Sequence, residues 1–170
     1  MKEPSAMRPA HFPPLYGEAG AEGELLPRSF VEERLRAAPH YWITTVTPSG
    51  RPHARPVDAV WVDGALCFGG SPETRWVRNL QSNPAMSVHL SSNTEAVILE
   101  GTVEYVTDPE HPLAVASTPV AREKYPQYFS GPRPMPFRPF WALRPRTVYA
   151  WLLERFPRDA TCWTFEPNPA

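Results

Sequence analysis

The chain has 170 residues and a formal net charge of −1, from 17 basic and 18 acidic side chains. That length suits one domain, at most with a tail, and the charge balance leaves no global field to draw it onto nucleic acid or anionic lipid. No apolar run approaches the ~20 residues that span a bilayer, and the N-terminal MKEPSAMRPAHFPPLYGE lacks the apolar stretch of a secretory signal; a cytoplasmic protein is expected.

Residues 1–27 are rich in Pro, Gly and Glu without periodicity, and read as an extended arm, disordered or laid across a partner subunit. Residues 28–170 form the expected single domain. Ser29 and Glu32 fit a capping box that starts a first helix, with Phe30, Val31, Leu35 and Ala38 as its apolar stripe and Pro39 as its end. YWITTVT (41–47) is a strand by its β-branched and aromatic content, Pro48–Arg51 is a turn, and RPHARPVDAVWV (51–62) is the return strand. Asp63-Gly64 signals a two-residue hairpin into ALCFGG (65–70). Ser71 then reads as an N-cap with Pro72 at the first helical position, for a helix reaching Gln81 or Ser82. AMSVHL (85–90) and EAVILEGTVEYVT (95–107) are strands. A second helical region follows from Asp108 to about Tyr125. FRPFWALRP (137–145) and TVYAWLLE (147–154) read as a strand pair before the tail.

The tally is six or seven antiparallel strands with two or three peripheral helices. Hairpins dominate and no βαβ alternation appears, which argues against a doubly wound parallel sheet. The 23 prolines also disfavour a helical bundle. A mainly β protein is expected, built as a split antiparallel β-barrel, because closure removes exposed strand edges.

The chemistry concentrates between residues 49 and 80. The helix start at Ser71–Thr74 offers unpaired backbone N–H groups and a partial positive charge, a seat for phosphate. Arg75 lies in the first turn, Arg78 follows at i+3 on the same face, and Arg55 sits one hairpin earlier. The planar guanidinium fork donates two bonds at once to phosphate. Each feature also has a structural explanation: a Ser-Pro helix start that binds nothing, a solvated helix-face charge, an edge-strand charge that resists aggregation. Cys67 and Cys162 have no metal-type spacing and are expected as reduced thiols. His53, His89 and His111 form no metal set, and no nucleophile motif points to a catalytic side chain.

The run GRPHARPVDAVWVDGALCFGGSPETRWVRNLQSNPAMSVHL resembles the split-barrel flavoproteins typified by pyridoxamine 5'-phosphate oxidase, and still more their relatives that bind FMN or the deazaflavin coenzyme F-420. The resemblance covers about residues 30–107 in continuous order, and the closing FPRDAT-x-W-x-F is similar to the tail of that group. It implies that Arg55 contacts the FMN phosphate, and that Thr74, Arg75 and Trp76 occupy the place of a Ser-Arg-Lys phosphate cradle; Ser71 and Arg78 join this candidate cofactor set by their positions at the helix start and on its face. It implies that Pro56, Val57 and Asp58 run along the flavin ring. It further implies a homodimer with cofactor at the subunit interface, each site drawing on both chains, and a small-molecule substrate.

Two departures qualify those implications. Trp76 stands where the family has Lys, and one lost charge-assisted bond is worth about 1.5–3 kcal/mol, roughly ten- to a hundredfold in affinity. Trp76 is either a stacking face or a hydrophobic anchor with Leu80 at i+4. The tail also lacks the family's Arg-x-x-Pro substrate grip, which argues against true pyridoxamine phosphate oxidase activity. The expected function is flavin- or deazaflavin-dependent oxidoreduction, with FMN as the cofactor and F-420 as the alternative; the competing expectation is a non-enzymatic barrel that binds or sequesters a planar ligand.

Overall fold

The computed structural model describes residues 3–21, 24–130 and 138–166. Nine strands lie among them: β1 (Ala6–Pro9), β2 (Tyr41–Val46), β3 (Pro52–Val57), β4 (Val60–Val62), β5 (Ala65–Phe68), β6 (Ala85–His89), β7 (Glu95–Val106), β8 (Phe140–Leu152) and β9 (Thr161–Thr164). The helices are α1 (Arg28–Ala37), α2 (Arg75–Ser82) and α3 (Pro112–Lys124). All pairings are antiparallel, in the order β1-β9-β8-β7-β6-β2-β3, with β5 also on β8 and β4 on β5. The mainly β split-barrel expectation holds, with nine strands instead of six or seven.

Four local differences account for the count: the arm and the tail each supply a strand, β1 and β9, one expected strand divides, and one expected pair merges. Residues 6–9 of the arm form a strand that pairs with this chain's own tail from Ala6↔Thr164 to Pro9↔Thr161. Phe12 then packs edge-on against Phe156, 4.7 Å between ring centroids. The return strand 51–62 breaks at Asp58–Ala59, so β3 stays on β2 while β4 crosses to β5. The expected strand pair 137–145 and 147–154 is one strand, β8, which pairs with β7 throughout and shifts register opposite Glu100 and Gly101. Pro145-Arg146 reads as a turn in sequence, but here it is a bulge that the facing Gly101 makes room for: a Cβ there would lie 2.4 Å from the Arg144 carbonyl. Residue 137, residues 1–2 and 22–23 of the arm, and the last four residues lie outside the described residues.

Helix α1 starts at Arg28 directly after Pro27 with no side-chain cap. Ser29 is already inside the first turn, so the expected capping box does not form. Glu32 instead pairs with Arg28 (3.3 Å) and Arg36 (2.9 Å) one turn away on either side. Asp63 and Gly64 both have positive φ, 48° and 73°, the primed turn that fits a tight hairpin. The core between sheet and helices is filled by Leu35, Tyr41, Ile43, Leu66, Leu99, Leu143 and Trp163, all essentially inaccessible. Cys67 and Cys162 are buried free thiols, and burial pushes Cys67 up to about 12, which keeps it protonated. Among the described residues no helix is long and apolar enough to cross a membrane.

The break at Asp58–Ala59 exposes backbone groups in the protein interior, and the C-terminal end of α3 covers them. The Tyr125 hydroxyl accepts from the Ala59 N–H (3.2 Å) and donates to the Pro39 carbonyl (2.9 Å). Lys124 Nζ donates to the Ala59 carbonyl (3.1 Å) and the Tyr41 hydroxyl oxygen (2.8 Å), while Tyr41 donates onward to the Leu35 carbonyl. Desolvation outweighs the attraction of Asp58 and lowers the Lys124 ammonium from 10.5 to about 8. Between those values the unfolded chain holds the proton and the folded chain has shed it, so the stability Lys124 contributes rises with pH through this window. Urea denaturation of the protein and of Lys124→Met at pH 7.5 and 9.5 checks this: the difference in unfolding free energy shifts in favour of the parent at the higher pH, and a pH-independent difference contradicts it.

Candidate functional site

Strand β3 is a sheet edge, which suits Pro52 and Pro56 because neither has an N–H to give a further strand. Its cross-strand partners on β2 are Thr45↔His53, Ile43↔Arg55 and Tyr41↔Val57. Directly opposed residues share a face, so Arg55 lies on the side where Ile43 is buried. Helix α2 packs on that side, since its Val77 and Leu80 belong to the same core cluster as Ile43. A buried polar chain fixes the approach: Asn79 Nδ2 donates to Thr45 Oγ1 (2.9 Å), and the Thr45 hydroxyl reaches the His53 carbonyl (3.4 Å). Asn79 and Thr45 are 2% and 0% exposed.

This docking brings the N-terminal end of α2 towards β3. The His53 imidazole is lowered from its ordinary value by desolvation first and then by the Arg55 and Arg75 guanidiniums. Both cations, from two separate elements, therefore act on one imidazole and, after desolvation, disfavour its charged form. Arg75 is exposed and has no hydrogen-bond or ion-pair partner among the described residues. Arg55 makes one bond, to the carbonyl of its neighbour Ala54 (2.8 Å). Neither meets a carboxylate there. Two cations that act on one imidazole and carry no counter-charge would both be neutralised by an anion bound between them.

The residues before α2 are arranged differently from the expected cap. Ser71–Thr74 closes as a turn, with the Thr74 N–H and hydroxyl both donating to the Ser71 carbonyl (3.0 and 2.8 Å). Ser71 Oγ accepts only from the Glu73 N–H (3.3 Å), inside the turn. The helix starts at Arg75, with Thr74 in extended conformation before it, so Ser71 is not its N-cap. Arg78, expected beside Arg75, donates to the Glu73 carbonyl (2.8 Å) and holds this turn against the helix.

Trp76 is an anchor. It is 7% exposed, lies 5.6 Å from the Phe68 ring, and rests on the backbone of Gly70, where a Cβ would be 2.1 Å from its indole. Only glycine tolerates that approach. The indole also walls a cavity of ≈ 440 Å³, together with Val57, Asp58, Gly69 and Gly70 on one side and Tyr125 and Tyr128 on the other. The size and apolar lining suit a small organic ligand. Of the expected ring-lining set, Val57 and Asp58 face this cavity and Pro56 does not. The Asp58 carboxylate is held on both oxygens, by His40 Nδ1 (2.8 Å) and by the Tyr128 hydroxyl (2.5 Å), and that bond raises the Tyr128 pKa. Tyr125 and Tyr128 are the residues that sequence reasoning passed over. Their spacing puts them at the end of α3, but only the fold turns them towards β3.

The family model described as pyridoxamine 5'-phosphate oxidase matches residues 28–152. The chain belongs to that family. No curated protein matches it. Among solved structures, a pyridoxamine 5'-phosphate oxidase-related, FMN-binding protein of Nostoc punctiforme PCC 73102 superposes with a TM-score of 0.58 at 19% identity, over 84% of this chain and 98% of the other. An F-420 reductase matches at 0.52 and 22% identity, over 71% of this chain and 95% of the other. The heme storage protein HutZ of Vibrio cholerae matches at 0.57 and 16% identity, over 69% and 89%. At these identities the likeness is one of fold, and the same barrel carries three different ligand names.

The tether between α2 and β2 predicts a measurable cost. Asn79→Ala leaves the Thr45 hydroxyl without its buried donor and is expected to lower the unfolding free energy by about 1–3 kcal/mol. Urea denaturation reads this directly; a change within about 0.5 kcal/mol, as at an ordinary surface site, contradicts the tether.

Proposed function

We propose that this member of the family binds FMN and uses it in oxidoreduction of a small, flat organic substrate. The observation that carries the reading is the pair Arg55 and Arg75: they come from separate elements, act together on His53, and face no carboxylate among the described residues. Under this reading they hold the phosphate, with the Thr74–Arg75 backbone beside it. The chain through Pro56, Val57 and Asp58 lies along the ring, and the cavity under Trp76 receives the substrate and excludes water from it. FMN would supply the hydride chemistry, and the protein the binding, orientation and shielding. F-420 also carries a phosphate and is the alternative cofactor. A homodimer with the site completed by the second chain, and a cytoplasmic location, belong to the same proposal.

The family Lys is absent and its place is taken by a buried indole, so the phosphate seat has one cation fewer. That substitution favours a second reading, in which the barrel binds a planar ligand without turnover. Titration of the ligand-free protein with FMN, followed by flavin fluorescence, tests the first reading. Saturable binding is expected, and Arg75→Ala is expected to weaken it by more than about 1 kcal/mol, over fivefold. Unchanged affinity in Arg75→Ala removes the phosphate site. Saturable binding of FMN that no pyridine nucleotide or reduced F-420 system can reduce favours the non-enzymatic reading.

A further inference from the structure

Of the 17 basic residues, fifteen are arginine; the only lysines are Lys2 and Lys124. An amine that titrates near neutrality is therefore rare in this chain, and Lys124 is placed unlike a solvated surface lysine. Its Nζ is fixed by two hydrogen bonds, to the Tyr41 hydroxyl oxygen (2.8 Å) and the Ala59 carbonyl (3.1 Å). The Tyr41 and Tyr125 ring centroids are 4.8 and 5.5 Å away. Lys124 also lines a groove of ≈ 700 Å³ whose apolar wall includes Trp61 and Val120 and whose charged groups are Arg36, Asp63 and Glu123. This groove is bordered by α3 and the β4–β5 hairpin, and includes neither Arg55 nor Arg75.

The geometry has a chemical consequence. A tetrahedral ammonium has three N–H bonds, and two are committed to acceptors within the protein. On deprotonation the two committed hydrogens stay where they are bound, and the lone pair takes the third position. Burial makes that deprotonation accessible near pH 8, although Asp58 opposes it; Tyr41 and Tyr125, the other titratable groups packed on the amine, both have raised pKa values and stay neutral there. A desolvated amine with a fixed lone pair is a nucleophile towards carbonyl carbon.

We propose that Lys124 is a carbonyl-reactive site that condenses with small aldehydes, of about one ring in size, entering the groove beside Trp61. In the step, the Nζ lone pair forms a bond to the aldehyde carbon and the carbonyl π pair moves to oxygen. That oxygen leaves as water, with one hydrogen from the amine and one proton from solvent. The resulting iminium keeps one N–H, enough to retain the bond to the Ala59 carbonyl. Nothing is oxidised or reduced, and no co-reactant is needed.

Reductive trapping tests this with the full-length protein and benzaldehyde as the probe. The folded protein is incubated at pH 7.5 with benzaldehyde and sodium cyanoborohydride, and the N-benzyl adducts are mapped by peptide mass spectrometry. Lys2 serves as the internal comparator, since an ordinary lysine titrates near 10.4. Lys124 is expected to label at least tenfold faster than Lys2, with a rate that rises with pH to a plateau above about 8. In urea the preference is expected to vanish. Equal or slower labelling of Lys124 in the folded protein overturns the proposal, as does a preference that survives unfolding. The readout needs no flavin, so it stands or falls separately from the cofactor reading.

Discussion

The arrangement of this site depends on one buried amide. Asn79 on α2 donates to Thr45 on β2, and Thr45 passes the bond to the backbone of β3. All three groups lie where water does not reach, so breaking any link strands a polar group in the interior. The chain therefore sets the position of α2 more sharply than apolar packing at Val77 and Leu80 would, because hydrophobic contact is non-directional. From that position follow the exposure of Arg75 at the start of α2, its proximity to His53, and its partnership with Arg55. Under the proposed function, the phosphate seat is a by-product of a helix docked on a hairpin by one hydrogen-bonded chain.

A second constraint shapes the cavity. Strand β3 cannot continue into β4 on the same neighbour, since β4 belongs to β5. The break leaves Ala59 with unpaired groups, and Tyr125 and Lys124 satisfy them from α3. The two constraints meet at the cavity: α2 contributes Trp76, the break contributes Asp58, and the end of α3 contributes Tyr125 and Tyr128. Gly70 completes the wall because only a residue without Cβ lets the indole lie against the backbone.

Much of this was legible in sequence, and for identifiable reasons. β2 is declared by its β-branched residues, the β4–β5 hairpin by Asp63-Gly64, and α1 by its apolar stripe and the closing Pro39. The family resemblance points to Arg55 and Arg75 together and to Trp76 as a departure, while the anchoring of Trp76 is visible only with Gly70 and Phe68 beside it. What escaped is what depends on distant partners. The pairing of β1 with β9 joins the two ends of the chain, and no local signal reports it. β8 is continuous because Gly101 on the facing strand makes room for its bulge, whereas Pro145 alone reads as a terminator. Ser71 matches an N-cap by type and spacing, yet the turn through Pro72 and Glu73 closes on itself first and delays the helix to Arg75. Asn79 looks like any polar residue on a helix until Thr45 is opposite it.

The central claim is that α2 and β3 together hold a phosphate. Parallel titrations of the protein with FMN and with riboflavin, which differ only in that group, test it most directly. The account predicts that FMN binds at least tenfold more tightly than riboflavin at low salt, the scale of one or two charge-assisted hydrogen bonds, and that the gap narrows as salt screens the exposed arginines. Equal affinity for the two ligands at every salt concentration would contradict it.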